Sequence, residues 1–260
     1  MKYRVNPLLL GDAVVPDVLD VFWSLSKETG RSNVPILAFL IEGTPNGPIL
    51  VDSGMRDPQR AMDVHRLGPH SAGPEQTLEA QIAVHGFDLS DIREVHLTHL
   101  HYDHAGGCAL LPNARIVVQR TELMAAAAPM GPEALEIGGK SLFYDRLDVA
   151  DIVNPLWDRV DLVEGDYEPH PGIRCVLYAN SHTPGHQCVY VDTPDGTVAI
   201  IGDIARKVDL NIEKEIMPGL YYDLESMRRA LIDIKSRADR VLPTHDWQVV
   251  GRRPERASSK

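Results

Sequence analysis

The sequence has no cysteine pair to staple it. Cys108, Cys175 and Cys188 are odd in number and lack CxxC spacing, so neither a disulfide framework nor a thiolate metal knuckle is expected. They read as reduced thiols in a cytoplasmic protein. Cys108, close to the histidine-rich run described below, is either a small packing residue or a further ligand. Long apolar runs are missing as well: nothing approaches the roughly 20 residues needed to cross a bilayer. Leu8-Leu9-Leu10 is too short for a secretory leader, so no membrane association is expected. Positive charge is scarce, with 26 Lys and Arg against 37 Asp and Glu and a formal net charge of −11. That balance argues against a nucleic-acid partner and leaves a small-molecule substrate. At 260 residues with 43% hydrophobic and 24% charged residues, the chain has the make-up of an ordinary globule.

What is present is histidine in an unusual place. His99, His101, Asp103 and His104 fall within six positions, directly before Gly106-Gly107. Imidazole nitrogen and carboxylate oxygen are the donors that zinc and its first-row neighbours prefer. Four such groups after the apolar Val95 and Leu97 make a poor core, because burying them unpaired is costly. In an extended segment residues two apart share a face, so His99 and His101 are expected to point the same way. Asp103 and His104 are expected in a turn that the glycine pair allows to reverse. More polar groups follow apolar strand candidates: His182 and His186 in Ser181–His186, Asp203 after Gly202, and His245 after Thr244.

The scaffold carries an internal echo. Pro35–Glu42 and Pro48–Val51 flank Thr44-Pro45-Asn46-Gly47, a strong hairpin signal, and the second strand ends at Asp52. Gln187–Asp192 and Thr197–Ile201 flank Thr193-Pro194-Asp195-Gly196 and end near Asp203. This is either chance or a duplicated half-domain. Helical spacing appears over Glu75–Val84 and over Asp223–Arg237, where Leu224, Met227, Leu231 and Ile234 share a face and Asp223 is the expected N-cap. Ile116–Gln119, Ile173–Tyr178 and Arg240–Leu242 read as further strands. Interleaved strands and helices indicate a layered α/β fold. Residues 126–167 break the pattern and read as a connector or as the roof of a pocket.

The His-x-His-x-Asp-His run, Thr183-Pro184-Gly185-His186, Gly202-Asp203 and Thr244-His245 occur in the order seen in the metallo-β-lactamase superfamily, which the chain resembles over nearly its whole length. The resemblance implies one αββα sandwich over residues 1–260, with halves about 1–125 and 168–252. It implies two divalent metal ions, zinc above iron, manganese or cobalt, and a homodimer as the assembly. His99, His101 and His186 would hold the first ion. Asp103, His104 and His245 would hold the second, and Asp203 would bridge both; His182 would support a ligand or serve the fold. Two cations about 3.5–4 Å apart share a water and yield hydroxide near neutral pH. That hydroxide attacks a carbonyl, and Asp103 is placed to pass a proton to the leaving group.

Departures narrow the substrate class. Asp203 stands where many β-lactamases have cysteine, and His101 where flavodiiron proteins usually have glutamate. The closest look is to the N-acyl-homoserine lactonase branch, through Val34-Pro35, Val118–Glu122 and His182–Gln187. That branch places a tyrosine three residues after the bridging aspartate; here Arg206 stands there, as a partner for a substrate carboxylate or as a solvated cation. Tyr221 or Tyr222 would supply a hydroxyl instead, or would pack. Tyr102 would stack on substrate or pack beside the metal loop, and Trp23 would line the pocket or sit in a core or interface. The expected function is hydrolysis of a lactone or activated cyclic ester. A glyoxalase II-like thioesterase, a phosphodiesterase resembling ribonuclease Z, an iron-dependent sulfur dioxygenase and a noncatalytic metal-binding sensor are the alternatives.

Overall fold

The computed structural model describes residues 3–16, 30–65, 68–128 and 143–252. Strand β2 (Arg31–Glu42) explains the architecture best. Leu37, Phe39 and Ile41 face one core and Ala38 and Leu40 another, so both faces are buried and the strand reads as one apolar run. It pairs antiparallel with β1 (Arg4–Pro16) on one side and β3 (Ile49–Val51) on the other, with Phe39 opposite Val51. The sheet continues parallel through β5 (Glu94–His96), β6 (Arg115–Gln119) and β7 (Val160–Val163), and β4 (His70–Ser71) closes its far edge. The second sheet has the order β12-β11-β10-β9-β8: Arg240–Pro243, Gly196–Gly202, Gln187–Thr193, Ile173–Leu177 and Tyr167–His170.

The facing surfaces of the two sheets share one core, in which Phe39, Ile41 and Val51 meet Val189, Val191 and Ile200. Outside the first sheet, Leu78 and Ile82 of one helix and Val149 and Ile152 of another (Arg146–Val153) cover Leu40, Leu97 and Ile116. Outside the second, Met227, Ala230, Leu231 and Ile234 of the helix Leu224–Arg237 cover Tyr190 and Ile201. The result is an αββα sandwich. Each fully buried aliphatic side chain in these layers contributes about 1.5–3 kcal/mol. Asp223 caps its helix by accepting from the Ser226 amide, whereas Leu224 is half exposed rather than on the buried face.

The two hairpins do echo one another in topology. β2–β3 is antiparallel and is followed by β5, parallel to β3; β10–β11 is antiparallel and is followed by β12, parallel to β11. Asp52 follows β3 and Asp203 follows β11. Several elements have no counterpart in the sequence reading. Among them, β1 runs the length of β2, and the 126–167 excursion contains β7 and a core-packed helix.

Candidate metal centre

The ligand-type side chains of four loops converge at one edge of the sandwich. Three overlapping trios place donor atoms within 4.8 Å of one another: His99 with His101 and His182; His99 with His104 and Asp203; Asp103 with His104 and His245. Asp203 sits between the outer trios. Its Oδ1 lies 3.1 Å from His245 Nε2 and 3.4 Å from His104 Nε2, and its Oδ2 lies 3.7 Å from His182 Nε2. Asp103 faces His245 Nε2 at 3.4 Å. Among the described residues, the buried Nε2 atoms of His99, His104 and His245 have no hydrogen-bond partner. Leaving such atoms unmet is costly, and a shared set of metal ions satisfies all three.

Hydrogen bonds on the opposite ring nitrogens fix which lone pair faces inward. His104 Nδ1 donates to Asp52 Oδ2 at 2.8 Å, and His245 Nδ1 to the Pro35 carbonyl at 2.8 Å. His182 Nδ1 donates to the Leu220 carbonyl at 3.2 Å. His99 Nδ1 lies 3.0 Å from the Thr98 hydroxyl, which donates to Asp52. Asp52 therefore orients two imidazoles at once, a part that sequence reasoning did not give it, although both hairpins ending in aspartate was the available signal. His186 and His182 both lie beside His99. His186 Nε2 donates to the Ile201 carbonyl at 2.9 Å, which leaves its buried Nδ1 without a partner among the described residues and its ring 4.9 Å from that of His99. His182 is the ring grouped with His99 and His101, and its Nε2 lies 3.2 Å from His101 Nδ1.

Local backbone differs from expectation in the metal loop. β5 stops at His96, so His99 and His101 lie in a loop, yet their rings still meet at 4.4 Å. Asp103 and His104 sit in a short helix, Tyr102–Ala105, not in a turn. Gly106 and Gly107 both have right-handed backbone, and their role is close approach: a Cβ on Gly106 would lie 2.1 Å from the Arg56 amide nitrogen, and one on Gly107 2.4 Å from the Ser53 carbonyl. Cys108 is buried beside Ser53 and stands in no trio, so it is a packing residue here.

Around the cluster, Ala13, Val15 and Val34 make an apolar wall, and Arg206 faces it. Arg206 is buried, with Nη1 3.2 Å from Asp203 Oδ2, so it is not a solvated cation. Tyr102 packs beside the loop: its ring stacks on His65 at 4.1 Å and its hydroxyl lies 2.6 Å from His70 Nε2. A groove of about 460 Å³ opens alongside His101 and His182, walled by Phe143, Tyr144, Leu220 and Tyr221. Tyr222, 64% exposed, stands at its lip, so the described end of the 126–167 excursion supplies a pocket wall. Trp23 lies outside the described residues.

Comparison with known proteins settles the family. The Metallo-beta-lactamase superfamily model matches residues 31–245. The chain belongs to the metallo-β-lactamase superfamily. It is 31% identical over 227 residues to the N-acyl homoserine lactonase AiiA of Bacillus thuringiensis subsp. kurstaki, covering 82% of each chain. It also superposes on an AiiA variant from B. thuringiensis solved with N-decanoyl-L-homoserine at the active site. There the TM-score is 0.73 at 26% identity, over 97% of this chain and 98% of that one. An N-acyl homoserine lactone hydrolase with N-hexanoyl-L-homoserine at its catalytic metal centre matches with the same score, identity and coverage.

In this superfamily member the electrostatics differ between the two ends of the cluster. Burial and the neighbouring imidazoles hold His99 and His101 well below the ordinary histidine range, and burial brings His182 down to about 4. These rings are neutral donors at pH 7. Burial also disfavours charge on His104, but Asp52, Asp103 and Asp203 outweigh it and lift this ring well above its usual value. Burial opposes charge on Asp203 too, yet His245 and His104 keep it well below the ordinary carboxylate range. Protons drawn onto a ligand set in this way are the ones a cation displaces.

Proposed function

We propose that this protein is a dinuclear metal-dependent hydrolase that opens a lactone ring. The observation that carries the reading is Asp203 set between two imidazole-rich trios, in a chain related to N-acyl homoserine lactonases. His99, His101 and His186 would hold one ion, with His182 beside them, Asp103, His104 and His245 the other, and Asp203 would reach both. Zinc is the ion we infer, from the imidazole and carboxylate donors. When bound, the pair supplies an activated water and a Lewis acid for the ring carbonyl.

The chain's own residues supply the rest. Asp52, Pro35 and Ile201 each accept from one ring nitrogen of His104, His245 and His186 and leave the other unspent, so the donors need no rearrangement. The wall of Ala13, Val15 and Val34 excludes bulk water from one side, which strengthens every charge interaction within. Asp103 faces the cleft and is placed to carry a proton to the departing ring oxygen. Arg206, against Asp203, offers a cation where the ester becomes a carboxylate. The groove beside His101 takes the substituent on the ring, with Tyr222 at its lip. The partner is a small molecule, and a cytoplasmic setting is supported by three buried free thiols.

Ring opening adds water across one C–O bond and releases acid at neutral pH. The test is pH-stat titration of metal-loaded protein on a panel of acyl-homoserine lactones and aromatic lactones. Acid release dependent on Asp203 is expected. Silence across the panel from protein carrying two metals overturns the lactone reading and directs the search to thioesters.

A further inference from the structure

We propose that Gln187 is a positioning residue that clamps the segment carrying His186 onto the segment carrying His99 before any metal arrives. The inference rests on the reading that His99, His101 and His186 hold one ion. Gln187 directly follows His186 and opens β10 of the second sheet, whereas Leu97 and Thr98 follow β5 of the first sheet and directly precede His99. Gln187 grips that pair twice. Its backbone amide donates to the Thr98 carbonyl at 2.9 Å, and its side-chain Nε2 donates to the Leu97 carbonyl at 2.8 Å. The two sheets are thereby tied together within two residues of both rings, which stand 4.9 Å apart. None of the gripping atoms is a metal donor, so the spacing is set without the ion.

The direction of the Gln187 carboxamide is fixed from behind. Gln119, the last residue of β6, is buried as Gln187 is, and it exchanges two hydrogen bonds with the Gly165 backbone. It donates to that carbonyl at 2.9 Å and accepts from that amide at 3.1 Å, which tells its nitrogen from its oxygen. Its second N–H then goes to Gln187 Oε1 at 2.9 Å. With its oxygen spent there, Gln187 has only its NH2 group to turn to Leu97. Gln187→Met keeps the length of the side chain and removes both polar ends. The backbone bond to Thr98 survives, so β10 keeps its start, but the Leu97 carbonyl loses its side-chain donor. Loss of such an outer contact weakens metal binding by about 10–100-fold. The rings of the other ion are held elsewhere, His104 by Asp52 and His245 by the Pro35 carbonyl.

The experiment titrates Co2+ into metal-free wild type, Gln187→Met and His186→Ala, following visible absorption and bound metal. The wild type should show two binding events, and His186→Ala should lack one of them. In Gln187→Met that same event should weaken about 10–100-fold while the other moves by less than about threefold. A merely structural role would not single out one event. Two events of wild-type affinity in Gln187→Met, or two weakened alike, overturn the inference alone. A wild type without two events, or a His186→Ala protein that keeps both, overturns the ligand reading and the inference with it. A second measurement needs no variant. In nitrogen–proton spectra of chelated wild type, the Gln187 side-chain NH2 should exchange slowly with solvent, because its acceptor is in place without metal. Free exchange of that group, with core strands still protected, overturns the inference even if Gln187→Met does not fold.

Discussion

Two aspartates end the two hairpins of this molecule, and they do different work. Asp203 follows β11 and stands among the trios, within 3.4 Å of two imidazoles and 3.2 Å of Arg206. Asp52 follows β3 at the matching place, with left-handed backbone at φ 61°, and does not line the cleft that Asp203 lines. It accepts instead from the Thr98 amide and hydroxyl and from His104. Both are fully enclosed carboxylates at the end of a strand, and the neighbouring strand separates them. β5 runs into the metal loop, so the carboxylate beside it becomes a brace; β12 delivers only His245, so the carboxylate beside it becomes a member of the set. Matching hairpins therefore place one aspartate among the ligand-type side chains and the other behind them as a brace.

The comparison is broken most directly by removing each carboxylate in turn. Asp203→Ala takes away the group set between the two outer trios and should lower lactone hydrolysis at least about 10³-fold in pH-stat assays, in line with loss of a principal charge-stabilising group. Asp52→Asn keeps the shape and one acceptor, and should cost about 10–100-fold in metal affinity, with turnover recovered at saturating metal. Equal and unrecoverable losses in both variants would show that the two aspartates share one role.

A finer cut separates His182 from His186. His186→Ala should leave protein with one metal per chain by elemental analysis. His182→Ala should keep two and lose stability instead, by about 1–3 kcal/mol, because the Leu220 carbonyl loses its donor. Two metals retained in His186→Ala, with one lost in His182→Ala, would move the ligand to the other ring.

That pair also shows where legibility stops. The meeting of His99, His101, Asp103 and His104 was readable because they are neighbours in the chain, and Asp203 and His245 because each follows an apolar strand. The choice between His182 and His186 was not, since four residues of spacing say nothing about which ring nitrogen is spent elsewhere. Each ring spends one nitrogen on a carbonyl brought in from a distant segment, Leu220 for His182 and Ile201 for His186. Asp52 was visible as a residue but not as a brace, because its partners arrive through the parallel pairing of β3 with β5. The layered α/β class followed from alternating strand and helix patterns. β1 escaped because Pro7, Gly11 and Pro16 interrupt its apolar pattern, and only pairing with β2 reveals it. Gly106-Gly107 looked like a turn signal and is a close-approach signal, a distinction set by what packs against the pair.

The smallest effect tests whether the contrast between clustered and bracing carboxylates extends along β5 itself. His96, three residues before His99, is buried with Nε2 2.9 Å from Glu94 and Nδ1 2.8 Å from the Tyr167 hydroxyl. Burial disfavours its charge, but Cys175 and Glu94 outweigh that and lift its pKa to about 9. A histidine whose folded pKa lies above its unfolded value of 6.5 stabilises the fold fully below pH 6.5. That contribution is lost as pH rises through about 9. Denaturant midpoints should therefore fall between pH 6 and pH 10 by the equivalent of about 1–3 kcal/mol. Glu94→Gln should flatten that fall, while Asp52→Asn, on the other side of the same strand end, should leave it in place. If Asp52→Asn flattens the profile as well, the brace and the Glu94–His96 pair form one electrostatic unit, and β5 carries charge coupling through to the metal loop.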